Sequence, residues 1–178
     1  MNSKRIVHIA YFTMLTIIGG LIKIPFGAVS FSFQTLFVIL SGLLLGSIDG
    51  MFSQIVYIVL GLIGLPIFTN GGGFSYVLYP TFGYLVAFPI SSFLCGLLVG
   101  RSKTIIGLKL YGIMILSLLP CYIIGAIYQV LVLSVYYGYE FVTSLITLVN
   151  LPVLFIIDAI ILYLVSLIYP RLTNLKKA

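Results

Sequence analysis

Long apolar stretches, nearly free of charge, alternate with short breaks rich in glycine, proline or basic residues along the whole chain. The stretches run from about Ile6 to Ile22, Phe31 to Gly46, Met51 to Ile63, Phe82 to Val99, Leu110 to Tyr139 and Phe141 to Pro170. Each is apolar all round. A membrane barrel would instead show short segments alternating between apolar and polar faces, so the pattern predicts helices that cross a bilayer. The second and third stretches fall short of the roughly 20 residues that a lipid-facing span needs. Short, glycine-flanked segments of this kind point to a binding site, because helix ends at membrane depth are tolerated only where protein or a water-filled cavity surrounds them.

Between the third and fourth stretches lies the segment from Gly64 to Tyr84, which holds Gly71, Gly72 and Gly73 in a row, Pro66 and Pro80, several aromatics and no charge. Glycine and proline at this density stop a helix, whereas the rings are too many for an ordinary solvated loop. The segment reads as a structured extracellular cap over an outward-facing cavity. Lys23 to Ser30 reads as a second, short outer connection.

Composition settles the class. With 62% hydrophobic and 7% charged residues and a mean hydropathy of +1.29, the chain has too little polar surface to cover a water-facing globule. The expectation is an all-α integral membrane protein of the cell membrane, a single domain over residues 1–178 with six transmembrane helices. Lys4 and Arg5 ahead of an apolar run imitate a signal peptide, but further apolar spans follow and the run reads as the first helix. Placing both termini inside puts Lys4, Arg5, Arg101, Lys103, Lys109, Arg171, Lys176 and Lys177 in the cytoplasm and leaves only Lys23 outside. That is the positive-inside pattern of an N-in, C-in multi-pass protein, and it accounts for the net charge of +6 without a nucleic-acid partner.

The polar residues inside the apolar stretches are the candidates for chemistry. Asp158 lies well inside the last one, where an acid costs at least about 2.5 kcal/mol and so calls for a function. Asn150 stands about 12 Å up the same helix and is expected on a similar face, able to offer both a donor and an acceptor. Gln34 and Thr35 open the second helix beside the outer mouth, as ligand contacts, while Gln54 reads as glue between helices. Tyr84 is among the tyrosines that form either an interfacial belt or a cavity wall. In the first helix Ala10, Thr13, Thr16 and Gly20 recur at helical spacing, a small-residue stripe that serves either internal packing or docking of a partner subunit. His8 reads as an interfacial polar residue, and Cys95 and Cys121 as small packing residues. One histidine, three scattered acids and two separated cysteines assemble neither a metal cluster nor a nucleophile with its base, so no enzyme, metal or cofactor is expected. A phosphate-binding loop is missing from the sequence too, and active transport would need ATP-hydrolysing partners.

Ser32-Phe33-Gln34-Thr35-Leu36-Phe37-Val38, the Gly42 to Gly46 turn, Gly61-Leu62-Ile63-Gly64-Leu65-Pro66-Ile67-Phe68, the triple glycine, Pro80-Thr81, Gly83-Tyr84-Leu85 and Pro152 with Asp158 together resemble the BioY family. This family is the biotin-binding substrate (S) component of energy-coupling-factor (ECF) transporters, and the likeness runs from about Ala10 to Ile161. It implies six helices in the bilayer that capture biotin outside and work with a transmembrane coupling subunit and two ATP-binding subunits. It also implies ligand contacts from Gln34, Thr35, Gly71, Gly72, Gly73, Tyr84, Asn150 and Asp158, and a docking face at Ala10, Met14 and Gly20. The sequence departs from the family pattern at Tyr79-Pro80-Thr81-Phe82-Gly83, which adds rings, at Ile161, where a lysine is usual, and at Met14, where an alanine is usual. The rival readings are a related protein for a biotin precursor or a lipoate-like acid, and a membrane-embedded enzyme or assembly factor that uses Asp158 for proton transfer.

Overall fold

A computed structural model describes residues 3–26, 29–100 and 105–175. Helix α1 (Ser3–Leu21) leads into a two-stranded antiparallel hairpin, β1 (Lys23–Phe26) and β2 (Val29–Ser32), with Lys23 opposite Ser32 and Ile24 opposite Phe31. The first outer connection is therefore paired structure, which the expectation of an all-α chain missed. Its Ile24, Phe26, Val29 and Phe31 alternate with other residues, the period of a strand. The backbone N–H of Phe33 bonds to the carbonyl of Gly19 at 3.0 Å and so ties the hairpin's exit to the end of α1.

Helices α2 (Gln34–Leu45) and α3 (Ser47–Leu62) meet at the single residue Gly46. Its φ of 88° and ψ of 177° form a conformation that essentially only glycine adopts, so the chain turns there without a loop. Asp49 stands in the first turn of α3, where the helix dipole favours an acid. Arg5 of α1 meets it through its Nε at 3.0 Å, and that charged hydrogen bond holds the guanidinium pKa above its ordinary value.

The loop that follows contains a short 3-10 turn (Phe74–Leu78), after which α4 (Phe82–Val99) occupies the fourth predicted stretch. Helix α5 (Gly107–Leu131) runs through Pro120 without a break and ends in a π turn, Val132–Tyr136. The last stretch is divided: α6 (Phe141–Ile146) and a 3-10 turn (Thr147–Asn150) precede α7 (Leu151–Leu175). Pro152 in the first turn of α7 explains the restart, since a proline there forfeits no helical hydrogen bond.

Helix α4 is central and packs on α2, α3 and α5; α1 lies against α2 and α3, and α7 against α5. The approach of α4 is close because a Cβ on Gly42 would strike the Ser92 carbonyl, and one on Gly96 the backbone of Gly46 and Ser47. Two apolar clusters fill the bundle. One is aromatic and joins the loop to the helices through Tyr57, Phe68, Tyr76, Phe82 and Phe88; the other is mainly aliphatic, around Ile39, Leu43, Leu110, Met114 and Leu118. Between α1, α2, α3 and α4 a buried polar chain connects Thr16, Gln54, Ser41 and Ser92, with Gln54 Nε2 donating to Ser41 Oγ at 3.1 Å. Gln54 thus sits as interhelical glue.

The spans Phe82–Val99, Gly107–Tyr136 and Phe141–Tyr169 are long and apolar enough to cross a membrane; α2 and α3 are apolar but shorter. Arg101, Lys103, Lys176 and Lys177, on which the sidedness argument leans, lie outside the described residues.

Candidate functional site

Asp158 is 4% exposed on α7, at the wall of a cavity of about 200 Å³. The side chain is held from two sides. Thr35 Oγ1 on α2 donates to its Oδ1 at 2.8 Å, and Tyr122 Oη on α5 donates to its Oδ2 at 2.8 Å. A carboxylate has about four acceptor positions on its two oxygens, so one position on each oxygen is left for a ligand's donors.

The wall comes from the hairpin, the cap loop and helices α2, α4, α5 and α7. The hairpin contributes Phe31 and Ser32, α2 Gln34 and Thr35, the loop Thr69, Asn70, Tyr76 and Thr81, and α4 Tyr84, Leu85 and Phe88. From α5 come Cys121 and Tyr122, and from α7 Leu151, Leu154 and Asp158. Gln34 is fixed as well. Its Nε2 donates to Tyr57 Oη at 2.6 Å, and its Oε1 accepts a 3.4 Å bond from Ser32. Tyr57 itself is fully buried between Phe68 and Phe88, whose ring centroids stand 5.4 and 6.3 Å away.

The predicted ligand residues thus divide. Gln34, Thr35, Tyr84 and Asp158 come together on the cavity wall, whereas Asn150 and the three loop glycines are not part of it. Eight residues at about 100° each carry Asn150 roughly 80° around the helix from Asp158, off its face, and it closes a 3-10 turn rather than continuing α7. Leu151 and Leu154, seven and four residues before Asp158, occupy that face. The glycines shape the loop instead. Gly71 and Gly73 have φ of 115° and 104°, and a Cβ on Gly72 would strike the Leu65 carbonyl. Thr69 and Asn70, just ahead of them, are the loop's contribution to the wall.

The proposed docking residues divide too. Met14 is 60% exposed and Ala10 is exposed beside it. Gly20 is buried, and a Cβ there would meet the Gln34 side chain, so it serves packing within the chain. Thr13 and Thr16 are buried with it. The reason is angular: Thr13, Thr16 and Gly20 fall within about 60° of one another around the helix, while Met14 lies well over 90° from their centre.

Thr69, Asn70 and Tyr122 are wall residues that the sequence pattern did not single out, and Tyr122 is the one that holds Asp158. A tyrosine buried in the middle of an apolar span needs a partner for its hydroxyl, and that rule was the available signal.

A sequence model described as the BioY family matches residues 1–178. The chain belongs to the BioY family. Among curated relatives, a probable biotin transporter BioY of Lysinibacillus sphaericus is 48% identical over 103 residues, 58% of this chain and 53% of that protein. A probable biotin transporter BioY of Pyrococcus horikoshii is 39% identical over 120 residues, covering 67% and 73% of the two chains. The chain thus spans about half the length of the first of these relatives and nearly three quarters of the second. The crystal structure of an S-component for biotin from an ECF-type ABC transporter superposes with a TM-score of 0.73 at 30% identity, over 98% of this chain and 95% of that one. The likeness in fold therefore covers nearly the whole chain.

Proposed function

We propose that this chain is the substrate-capture (S) component of an ECF-type vitamin transporter, and that it is not an enzyme. It binds biotin on the outer side of the membrane and delivers it inward together with a transmembrane coupling subunit and two ATP-binding subunits. One observation carries the reading beyond family membership: a single buried carboxylate, oriented by two hydroxyls, faces a small aromatic-walled cavity. Biotin presents a ureido ring with two N–H donors and a carbonyl, fused to an apolar thioether ring. The free acceptor positions of Asp158 suit the N–H groups, the remaining Gln34 N–H suits the carbonyl, and Tyr76, Tyr84 and Phe88 suit the sulfur ring.

The same proposal includes six transmembrane helices with both termini inside, the bacterial plasma membrane as location, and a coupling face at Ala10 and Met14. Reporter fusions to each connection test the sidedness. Ligand identity is tested by mass spectrometry of the small molecule that co-purifies from cells grown in rich medium, paired with calorimetric titration of biotin into wild type and Asp158→Asn. Biotin in the first measurement and a marked loss in the second are the expected results; another ligand, or equal affinity, refutes the assignment.

A further inference from the structure

The cavity's charge is one-sided. Asp158 is its acidic side chain, and none of the other described lining residues is aspartate, glutamate, lysine, arginine or histidine. Lys23 opens β1 as an exposed residue and does not line the cavity. An anion brought into this space would lie close to a like charge in a medium that screens it poorly, with no cation to offset the loss of its hydration. A neutral or cationic group that donates hydrogen bonds meets the opposite situation. Depth separates the two ends of a ligand accordingly. Asp158 lies about 10 Å along α7 from Leu151 at the helix start, at 1.5 Å per residue. A ligand that places its N–H groups on Asp158 extends its other end toward the loop side, where Thr69, Asn70 and Thr81 supply neutral amide and hydroxyl groups. Those groups offer both donors and acceptors, so they can meet the carbonyl and the N–H of an amide, where a carboxylate uses the donors alone.

Resting on the biotin reading above, we infer that recognition is confined to the N–H-donating head, and that derivatives whose acid tail is converted to an amide are ligands of the same site. The class includes biotin joined through its carboxyl to the side-chain amine of lysine, the form released when a biotinylated protein is digested. Such a site takes the conjugated vitamin without prior hydrolysis.

The test is competitive titration of the purified full-length chain in lipid nanodiscs with biotin, its primary amide and biotinyl-lysine. Both amides are expected to bind within about fivefold of biotin, a gap of less than about 1 kcal/mol. Asp158→Asn is expected to weaken all three by a similar factor, because the lost acceptor serves the shared head. Biotin binding with either amide weaker by more than fivefold overturns this inference and leaves the biotin assignment standing. Binding of none of the three refutes both. Should Asp158→Asn fail to fold, the salt dependence of wild-type biotin binding decides: a flat response between low and high salt supports a tail held without an ion pair, and a steep loss overturns it.

Discussion

Tyr84 Oη on α4 donates a 3.0 Å hydrogen bond to Oε1 of Gln129 on α5, which is 5% exposed. The same amide donates through Nε2 to Thr147 Oγ1 at 2.9 Å, in the turn that precedes α7. One side chain therefore ties a cavity wall to the entry of the helix that carries Asp158. Gln129→Leu deprives the Tyr84 hydroxyl of its acceptor and is expected to destabilise the protein by about 1–3 kcal/mol, with weaker biotin binding. Adding Tyr84→Phe removes the stranded hydroxyl and should recover part of that loss. Thermal melts and titrations of the single and double variants measure both effects, and strictly additive losses would rule out the link.

The Asp158 cluster predicts a graded series. Asp158→Asn exchanges an acceptor for a donor and removes the charge, at an expected cost of about 1.5–3 kcal/mol in biotin affinity, the scale of a charged hydrogen bond. Thr35→Val and Tyr122→Phe leave the carboxylate in place but remove one orienting bond each, and should cost about 0.5–1.5 kcal/mol. Calorimetry on the three variants gives the order; a Tyr122→Phe loss larger than that of Asp158→Asn would assign the main contact to the tyrosine.

For the cap loop the expectation follows from backbone geometry. Alanine at Gly71 or Gly73 must adopt a conformation nearly reserved for glycine, at about 1–3 kcal/mol each, and alanine at Gly72 must displace the Leu65 carbonyl. All three variants should bind biotin more weakly through a misplaced Thr69 and Asn70. Unchanged affinity in each of them would make the loop a passive connection.

The first helix yields a contrast between neighbours. Ala10→Leu enlarges an exposed position and is expected to leave biotin binding by the isolated chain intact while lowering uptake when the partner subunits are present. Gly20→Leu pushes into the Gln34 side chain and should damage binding itself. Paired binding and uptake assays separate the two, and loss of binding in Ala10→Leu would remove that residue from the coupling face.

Much of this was legible in the residue pattern because hydrophobic period and helix-breaking glycines are local signals. The bounds of α4, the end of α2 at Gly46 and the placing of Gln34, Thr35 and Asp158 as polar residues within apolar helices follow from such signals, whereas the start of α3 at Ser47, directly after Gly46 and not at Met51, did not. The hairpin was hidden in a connection too short for its alternation to stand out. Tyr122 depends on which face of α5 meets α7, a matter of packing that periodicity in a uniformly apolar helix cannot decide. Asn150 was misplaced by assuming one continuous helix across a 3-10 turn, and Gly20 by reading spacing without its angle.

The unequal lengths of the helices have a consequence for how they fit a bilayer. At 1.5 Å per residue, the 12 residues of α2 reach about 18 Å and the 16 of α3 about 24 Å, against a hydrocarbon core of about 30 Å. The 30-residue span Gly107–Tyr136 on the other flank exceeds it, at about 45 Å. Helices α2 and α3 are thus too short to reach both faces of such a core, whereas the Gly107–Tyr136 span has length to spare for tilt. Gln34 and Thr35 open α2, the shorter of these two helices, so the polar part of the cavity wall starts at a helix end and not within a full-length span.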